Sequence, residues 1–519
     1  MRQSQPAMKR APTLKARAAA PYRRLALQGF DRMQVTASAV ILSLALAGCA
    51  VGPVYRSPGA LPGPALKLSE TQVAQTTASP LPSHWWRLFD DPVLDRLVDR
   101  ALSHNTDLRQ AAANLQRARA AVSEAGANRW PDFGANAGYS RERVPVSPLG
   151  IGPPINRDFY AVGLDASYQV DLFGGVARSI QAARADAEAA QAQVDAARVT
   201  VAAETAVAYV AACGYAQQAA VARETAALQA DTRTLTQRLQ DVGRGAERDT
   251  QQAEVLLQQT NARIPTFEAE RRASLFALAV LTGDPPAELD AAAARCTAIP
   301  TAKVAIPVGD GAALLARRPD VHAAERTLAA DVARIGVATA ELYPTITLAG
   351  AVNVGGIKPG DLGKSRSVTY SAGPLISWNI PINGAARARV RESRAQAQGA
   401  LAAFDGVVLA ALKETEQALA RLDGAVAREQ VLARAAAASE RAADLSDARY
   451  RGGSDNFLQL LQAQRDRANA RGELAEAQAD RAQAQIALFK ALGGGWEDPP
   501  IIAVNAPTAE GAAGPERRR

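Results

Sequence analysis

The chain has 519 residues and is 48% hydrophobic but only 5% aromatic. Alanine therefore carries much of the apolar content, which argues against large aromatic cores and for long, closely packed helices; the length suggests more than one structural unit. The formal charge of +7 is misleading, because Arg2, Lys9, Arg10, Lys15, Arg17, Arg23, Arg24 and Arg32 stand against Asp31 alone in residues 1–48. The remainder is about neutral, which removes the case for nucleic-acid binding.

Those basic residues precede an apolar run from Val35 to Ala47, and the run ends in Leu46-Ala47-Gly48-Cys49. A positive segment, a short apolar core and small residues before a cleavage point read as an export signal over residues 1–48. The run is too short for an ordinary membrane-spanning helix. Small residues followed by Cys resemble a bacterial lipobox, which makes Cys49 the expected site of covalent lipid. The leader is long for its class, so Met8 reads as an alternative start to Met1; Met33 would leave no basic segment. Residues 49–83 carry Pro53, Pro58, Pro62, Pro64, Pro80 and Pro82 and read as an extended, lipid-anchored tether.

A first repeat follows over 84–286. Trp85-Trp86, Phe89 and Asp91-Pro92 lead into one helix, with Pro92 in its first turn and Ala101, Leu108, Leu115 and Val122 spaced by sevens. Trp130-Pro131 ends it. Phe133, Ala135, Ala137 and Tyr139 alternate with small or polar residues, a strand, and Val144 to Asp158 reads as a loop. From Tyr160 to Leu172 the alternation is unbroken. A tilted membrane strand needs about 9–11 residues, apolar towards lipid and polar towards a lumen. Tyr160, Leu164, Tyr168 and Leu172 are the expected lipid-facing row, and Asp165 and Ser167 face water. Phe173-Gly174-Gly175 breaks the pattern. The Ala-rich stretch from Val176 to beyond Asp241 then predicts a helix of ~65 residues, roughly 100 Å long. Gly243 and Gly245 mark a turn, helix resumes near Glu247, and Thr282-Gly283-Asp284-Pro285-Pro286 stops it after Leu281.

Residues 287–309 form a linker, and the order then repeats over 310–495: a helix to Tyr343, strands around Ile346–Val354 and Val368–Ile380, a long helix after Gly384, a turn at Gly452-Gly453 and a helix to Leu492. Pro131 matches Pro344, Gly175 matches Gly384, Gly243 matches Gly453 and Gly283 matches Gly493, at an offset near 210 residues. This is an internal duplication. Residues 496–519 remain as a flexible tail. Four amphipathic strands cannot lie alone in lipid, where each unpaired backbone group costs several kcal/mol, so the barrel must close between chains, with eight strands from two copies or twelve from three.

Little in the chain points to catalysis. His84, His104 and His322 are isolated, Gly493-Gly494-Gly495 lacks the Lys-Ser/Thr of a phosphate loop, and there is no nucleophile motif, so the chain does not read as an enzyme. Glu414 and Glu416 read as a solvated or inter-helix pair. Cys213 lies in an Ala-rich helical run and reads as a small buried residue. Cys296 lies in the linker; a disulfide between the two is permitted by compartment but unsupported by spacing.

The motifs in order resemble the TolC-like outer membrane factors, in particular the lipoprotein branch serving resistance-nodulation-division efflux pumps. Those carrying the resemblance are Gly52-Pro53 with Tyr55; Trp85-Trp86 with Phe89; Asp171-Leu172-Phe173-Gly174; Arg318-Pro319-Asp320-Val321; Tyr343-Pro344; and Leu460-Leu461 with Ala463-Gln464-Arg465. The resemblance implies an α+β membrane conduit, a homotrimer whose twelve-stranded outer-membrane barrel, four strands per chain, continues as a periplasmic coiled-coil tunnel in a Gram-negative bacterium. It implies a passive exit duct for small molecules, with a membrane-fusion adaptor and an inner-membrane pump as partners and no cofactor beyond the lipid on Cys49. The hairpin tips at Gly243, Gly245, Gly452 and Gly453 would meet the adaptor. The family closes its tunnel near the second tip, often with carboxylates at the positions of Gln459 or Gln462. Here amides stand there, so Leu458 with rings of Gln459 and Gln462 is the expected closure, with Arg248, Asp249 and Asp455 as ionic candidates. A duct for type I protein secretion and a periplasmic coiled-coil scaffold remain as alternatives.

Overall fold

The computed structural model describes residues 50–58, 76, 77, 79, 81–144, 153–288, 290–303, 305–308, 311–497, 500 and 502. The export signal, Cys49, most of the tether and nearly all of the tail lie outside them.

The four long strands are β1 (Asp132–Val144), β2 (Ile155–Val170), β3 (Thr345–Gly356) and β4 (Val368–Ser377). They form one antiparallel sheet in the order β1-β2-β3-β4, with β1 and β4 at its edges. The register sorts the side chains. Ala135, Leu164, Val352 and Tyr370 lie across from one another, as do Ala137, Val162, Val354 and Val368. One residue along, Gly134, Asp165, Ala351 and Ser371 form a row, and Asn136, Gly163, Asn353 and Thr369 form the next. A period of two thus gives the sheet one apolar and one small or polar face. β2 differs from the sequence reading at both ends. It starts at Ile155, inside the expected loop, and stops at Val170. Leu172 sits in the turn, its N–H on the Val170 carbonyl at 2.9 Å, and so leaves the row to which alternation assigned it.

The turn exists because the long helix α3 (Gly175–Asp241) begins there. The Asp171 carboxylate accepts from the N–H groups of Val176 at 3.0 Å and Ala177 at 2.7 Å, satisfying two donors that a helix start leaves free. Gly174 has φ +77°, a left-handed conformation open to glycine without a Cβ clash. Its counterpart is Gly384 at φ +75°, so Gly174 rather than Gly175 is the matching landmark.

The first helical stretch is two helices, α1 (Pro92–His104) and α2 (Thr106–Ala127). Asn105 breaks it, because its side-chain oxygen caps Asp107 and Leu108 at 2.9 and 3.2 Å while its amide donates to the Leu281 carbonyl. The long helix α3 (Gly175–Asp241) returns as α4 (Glu247–Leu281), which continues without a break past Pro265. In the second half Pro319 holds Arg318 extended, splitting the expected single helix into α5 (Gly311–Arg317) and α6 (Pro319–Ala340). Then come α7 (Ala385–Arg451) and α8 (Phe457–Ala491). Both long helices have 67 residues and both return helices have 35, about 100 Å and 50 Å at the α-helical rise.

One belt of buried aromatic residues lies around the middle of the long helices. Trp85 stacks on Phe489 with ring centroids 4.8 Å apart, and Trp86 and Phe89 complete the cluster. Gly494 and Gly495 exist for this packing: a Cβ on Gly494 would meet Leu81 at 2.3 Å, and one on Gly495 would meet Trp85 at 3.0 Å. Cys213 and Cys296 form a disulfide, with Cα atoms 5.2 Å apart. The spacing gave no support for it; it forms because the linker folds back across α3 in this belt, where Cys213 is buried.

Candidate functional site

The helices place three features along one long axis: the sheet, a docked N-terminal strap, and a pair of helical tips. At the first tip Gly243 has φ +74°, and the N–H groups of Arg244 and Gly245 both donate to the Leu239 carbonyl. A Cβ on Gly245 would press on the Gln240 nitrogen at 2.9 Å. At the second tip only Gly453, at φ +75°, needs to be glycine; Gly452 has an ordinary right-handed conformation. Ala253 and Leu256 of α4 pack on Phe457 and Leu461 of α8, with Tyr450 beside them, so the two tips are joined by one small core.

The expected closure residues separate into different roles. Leu458 is 53% exposed, and Gln462 lies one turn further along the same exposed face. Gln459 leaves this pair. Its side chain closes a capping box with Asn456, whose oxygen accepts from the Gln459 N–H at 3.0 Å. The Gln462 amide donates to Asp466 at 2.9 Å, a carboxylate one turn beyond the motif positions that sequence reasoning passed over. Asp455 is held by Arg449 at 2.8 Å, within its own turn. Arg248 and Asp249 pair with each other at 3.5 Å rather than linking helices.

Nearer the sheet, residues 50–58 lie as a strap across α3 and α6. The Val51 N–H donates to the Phe173 carbonyl at 3.1 Å. Gly52, at φ +92°, approaches so closely that a Cβ there would sit 2.5 Å from the Gly336 Cα. Tyr55 packs on Ala185, Ala329 and Ala330 and donates to Glu325, with Arg326 over its ring at 5.7 Å. Burial and the Glu325 hydrogen bond push the Tyr55 hydroxyl up to about 12, so it stays a donor. Burial alone would raise Glu325, but hydrogen bonds from Arg326 and Tyr55 outweigh it and hold the carboxyl below its ordinary value. The strap brings Ala50 against Gly174, at the junction of sheet and helix.

In the belt, buried Arg318 binds Asp320 at 2.6 Å, Glu414 at 2.8 Å and the Ala491 carbonyl at 2.8 Å, so Glu414 is part of an inter-helix ion cluster. Among the described residues no three His, Cys, Asp or Glu side chains are placed to hold a metal ion.

The profile of the outer membrane efflux protein family matches residues 97–284 and 312–494, one stretch in each half. "Nodulation protein T" of Rhizobium leguminosarum bv. viciae is 31% identical over 479 residues, 92% of this chain and 97% of that protein. "Outer membrane protein OprJ" of Pseudomonas aeruginosa is 31% identical over 467 residues, 89% of this chain and 96% of that one. Among solved structures, the outer-membrane channel OprN superposes with a TM-score of 0.82 at 36% identity, over 86% of this chain and 100% of its own. The open state of the Neisseria gonorrhoeae MtrE outer membrane channel gives 0.76 at 30%, over 86% and 99%. Matched in both halves by the profile and nearly end to end by relatives, the chain belongs to the outer membrane efflux protein family and is an efflux channel of the Gram-negative outer membrane.

Proposed function

We propose that three copies close edge to edge into one twelve-stranded barrel, with β4 of each chain pairing with β1 of the next, and that their helices continue it as a passive duct across the periplasm. The observation that carries this reading is the four-stranded sheet with an unbroken apolar face and two open edges. In lipid such a sheet must find partners for its edge groups, and an even number of antiparallel strands closes without a mismatch. Tyr160, Leu164 and Tyr168 face lipid; Asp165 and Ser167 face the lumen. The matching lengths of the two hairpins support an internal duplication.

Cys49 carries the lipid. It immediately precedes a strap that ends against the base of the sheet, so the acyl chains enter the periplasmic leaflet beside the barrel. The tips at Gly243, Gly245, Gly452 and Gly453 receive a periplasmic adaptor, which couples the duct to an inner-membrane pump. Relatives at 29–30% identity carry the names "Pyoverdine export outer membrane protein OpmQ" and "Toluene efflux pump outer membrane protein TtgF". Names so different on one scaffold support small-molecule cargo selected upstream of the duct.

The tunnel closes where three copies of Leu458 and Gln462 meet on the axis, with Asp466 behind each amide. Purified protein in a planar bilayer tests both duct and gate. Wild type should conduct weakly, and Leu458→Ala with Gln462→Ala should conduct more. An unchanged double mutant moves the gate elsewhere, and no conductance from either protein removes the duct.

A further inference from the structure

The apolar face of the sheet ends abruptly at its far end, away from the helices. On β2 it runs from Val170 to Tyr160, ten residue steps. At about 3.4 Å each and a tilt near 40°, that is roughly 25 Å of height, the thickness of a lipid-facing barrel band. Tyr139 and Tyr160 close it with ring centroids 5.0 Å apart. The next two outward-facing positions on β1 are Arg141 and Arg143. Arg141 lies 3.8 Å from Asp158, which also accepts from the Tyr139 hydroxyl at 3.1 Å. Arg143 is exposed and opposite Asn156, which brings it no charge. Arg157, by contrast, belongs to the lumen face and pairs there with Glu142 at 3.6 Å. Arg366, in the turn two residues before β4, is 76% exposed and lies 3.9 Å from Asp361. Edge-to-edge closure would bring it to the same seam as Arg141 and Arg143 of the next chain. The other end of the apolar face has nothing comparable: two positions beyond Phe133, Val170, Ile346 and Ile376 stand Pro131, Leu172, Pro344 and Trp378, none of them charged.

We propose that Arg141 and Arg143, joined at each seam by Arg366, form a binding belt for the phosphorylated glycolipid of the outer leaflet. The inference rests on the barrel reading above. A guanidinium just above an aromatic girdle sits at headgroup depth and grips a phosphate with two parallel N–H donors, while the acyl chains lie along Ala137, Val162 and Leu164. The confinement of charge to one end of the face selects the outer leaflet over the inner.

Native mass spectrometry of the purified full-length protein with bis-phosphorylated lipid A, and with the same lipid lacking one phosphate, tests the belt. Wild type should retain the bis-phosphorylated form about tenfold better. R141Q/R143Q should lose that preference, R366Q should weaken it, and R157Q on the lumen face should leave it intact. Equal retention of both lipids by wild type, an unaffected double variant, or an equal loss in R157Q overturns the belt. Conductance of the same preparations separates the two readings. A conducting protein blind to phosphate loses the belt and keeps the duct, whereas wild type that neither trimerises nor conducts loses both.

Discussion

Glu325 is the residue on which the strap turns. Its carboxylate holds Arg326 at 2.6 Å and accepts from Tyr55, and these bonds keep it ionised below the ordinary carboxyl range despite burial. A carboxyl depressed in the folded state contributes stability that is fully present above its unfolded value, near 4.3, and lost as pH falls through the folded one. The strap should therefore resist limited proteolysis at pH 7 and 5 and become cleavable only as the pH falls below the ordinary carboxyl range. Glu325→Gln should weaken protection at pH 7 and flatten the pH dependence; a variant that retains wild-type acid release would place the switch in another group. Gly52 adds a steric requirement to this electrostatic one. Gly52→Val, at φ +92° and against Gly336, should undock the strap at every pH, a strain of about 1–3 kcal/mol.

Among the elements, the linker and α3 are tied by Cys213–Cys296 across 83 residues of sequence. A crosslink over such a loop is worth about 2–4 kcal/mol, mainly through the unfolded chain. Cys213→Ser or a reductant should lower the melting temperature of the purified protein, and the two treatments together should add nothing further. The strand row predicts a second contrast. Arg at Leu164 should cost about 2–4 kcal/mol at midplane depth, while Arg at Ser167, on the opposite face, should be tolerated; equal loss of assembled protein on an unheated gel would mean that the faces are reversed. Alternation made β2 and its division into an apolar and a polar side legible from sequence, and the glycines made the turns legible, because both signals are local. Leu172 was misplaced because Asp171, a polar member of the row by period, is in fact the cap of α3. Asn105 was likewise hidden inside a heptad pattern that runs across the break. The strap and the disulfide were out of reach for another reason: Tyr55 meets a partner 270 residues away, and no local pattern encodes that. At the tip, the motif positions drew attention to amides, and the carboxylate of Asp466 one turn on was missed.

For the molecule as a whole, the two halves are alike in length and unlike in cover. Each long helix has an 18-residue stretch apolar and long enough to cross a membrane; within the chain 67% of that stretch is buried in α3 and 17% in α7. Leu409 and Leu445 of α7 are more than half exposed. In the trimer proposed above this bare side would be the seam between protomers. Leu409→Glu with Leu445→Glu should yield chains that reach the membrane but run as monomers on an unheated gel and carry no current in a bilayer; trimers that survive both changes would put the seam on another helix.

If the uncovered side of α7 is the proposed seam, the state of the protein also depends on how many copies are present. A species stabilised by its own partners gains stability with their concentration, so scarce chains stay single and abundant ones assemble. A lipid at Cys49 changes that arithmetic, because chains confined to one leaflet search a surface rather than a volume and meet at a far higher effective concentration. With the lipid proposed at Cys49, the anchor would set the expression level at which ducts appear. Cys49→Ser should abolish metabolic labelling with palmitate and shift the appearance of trimer to higher expression, with little effect once the chain is abundant. A titration of promoter strength against trimer on an unheated gel measures that threshold directly.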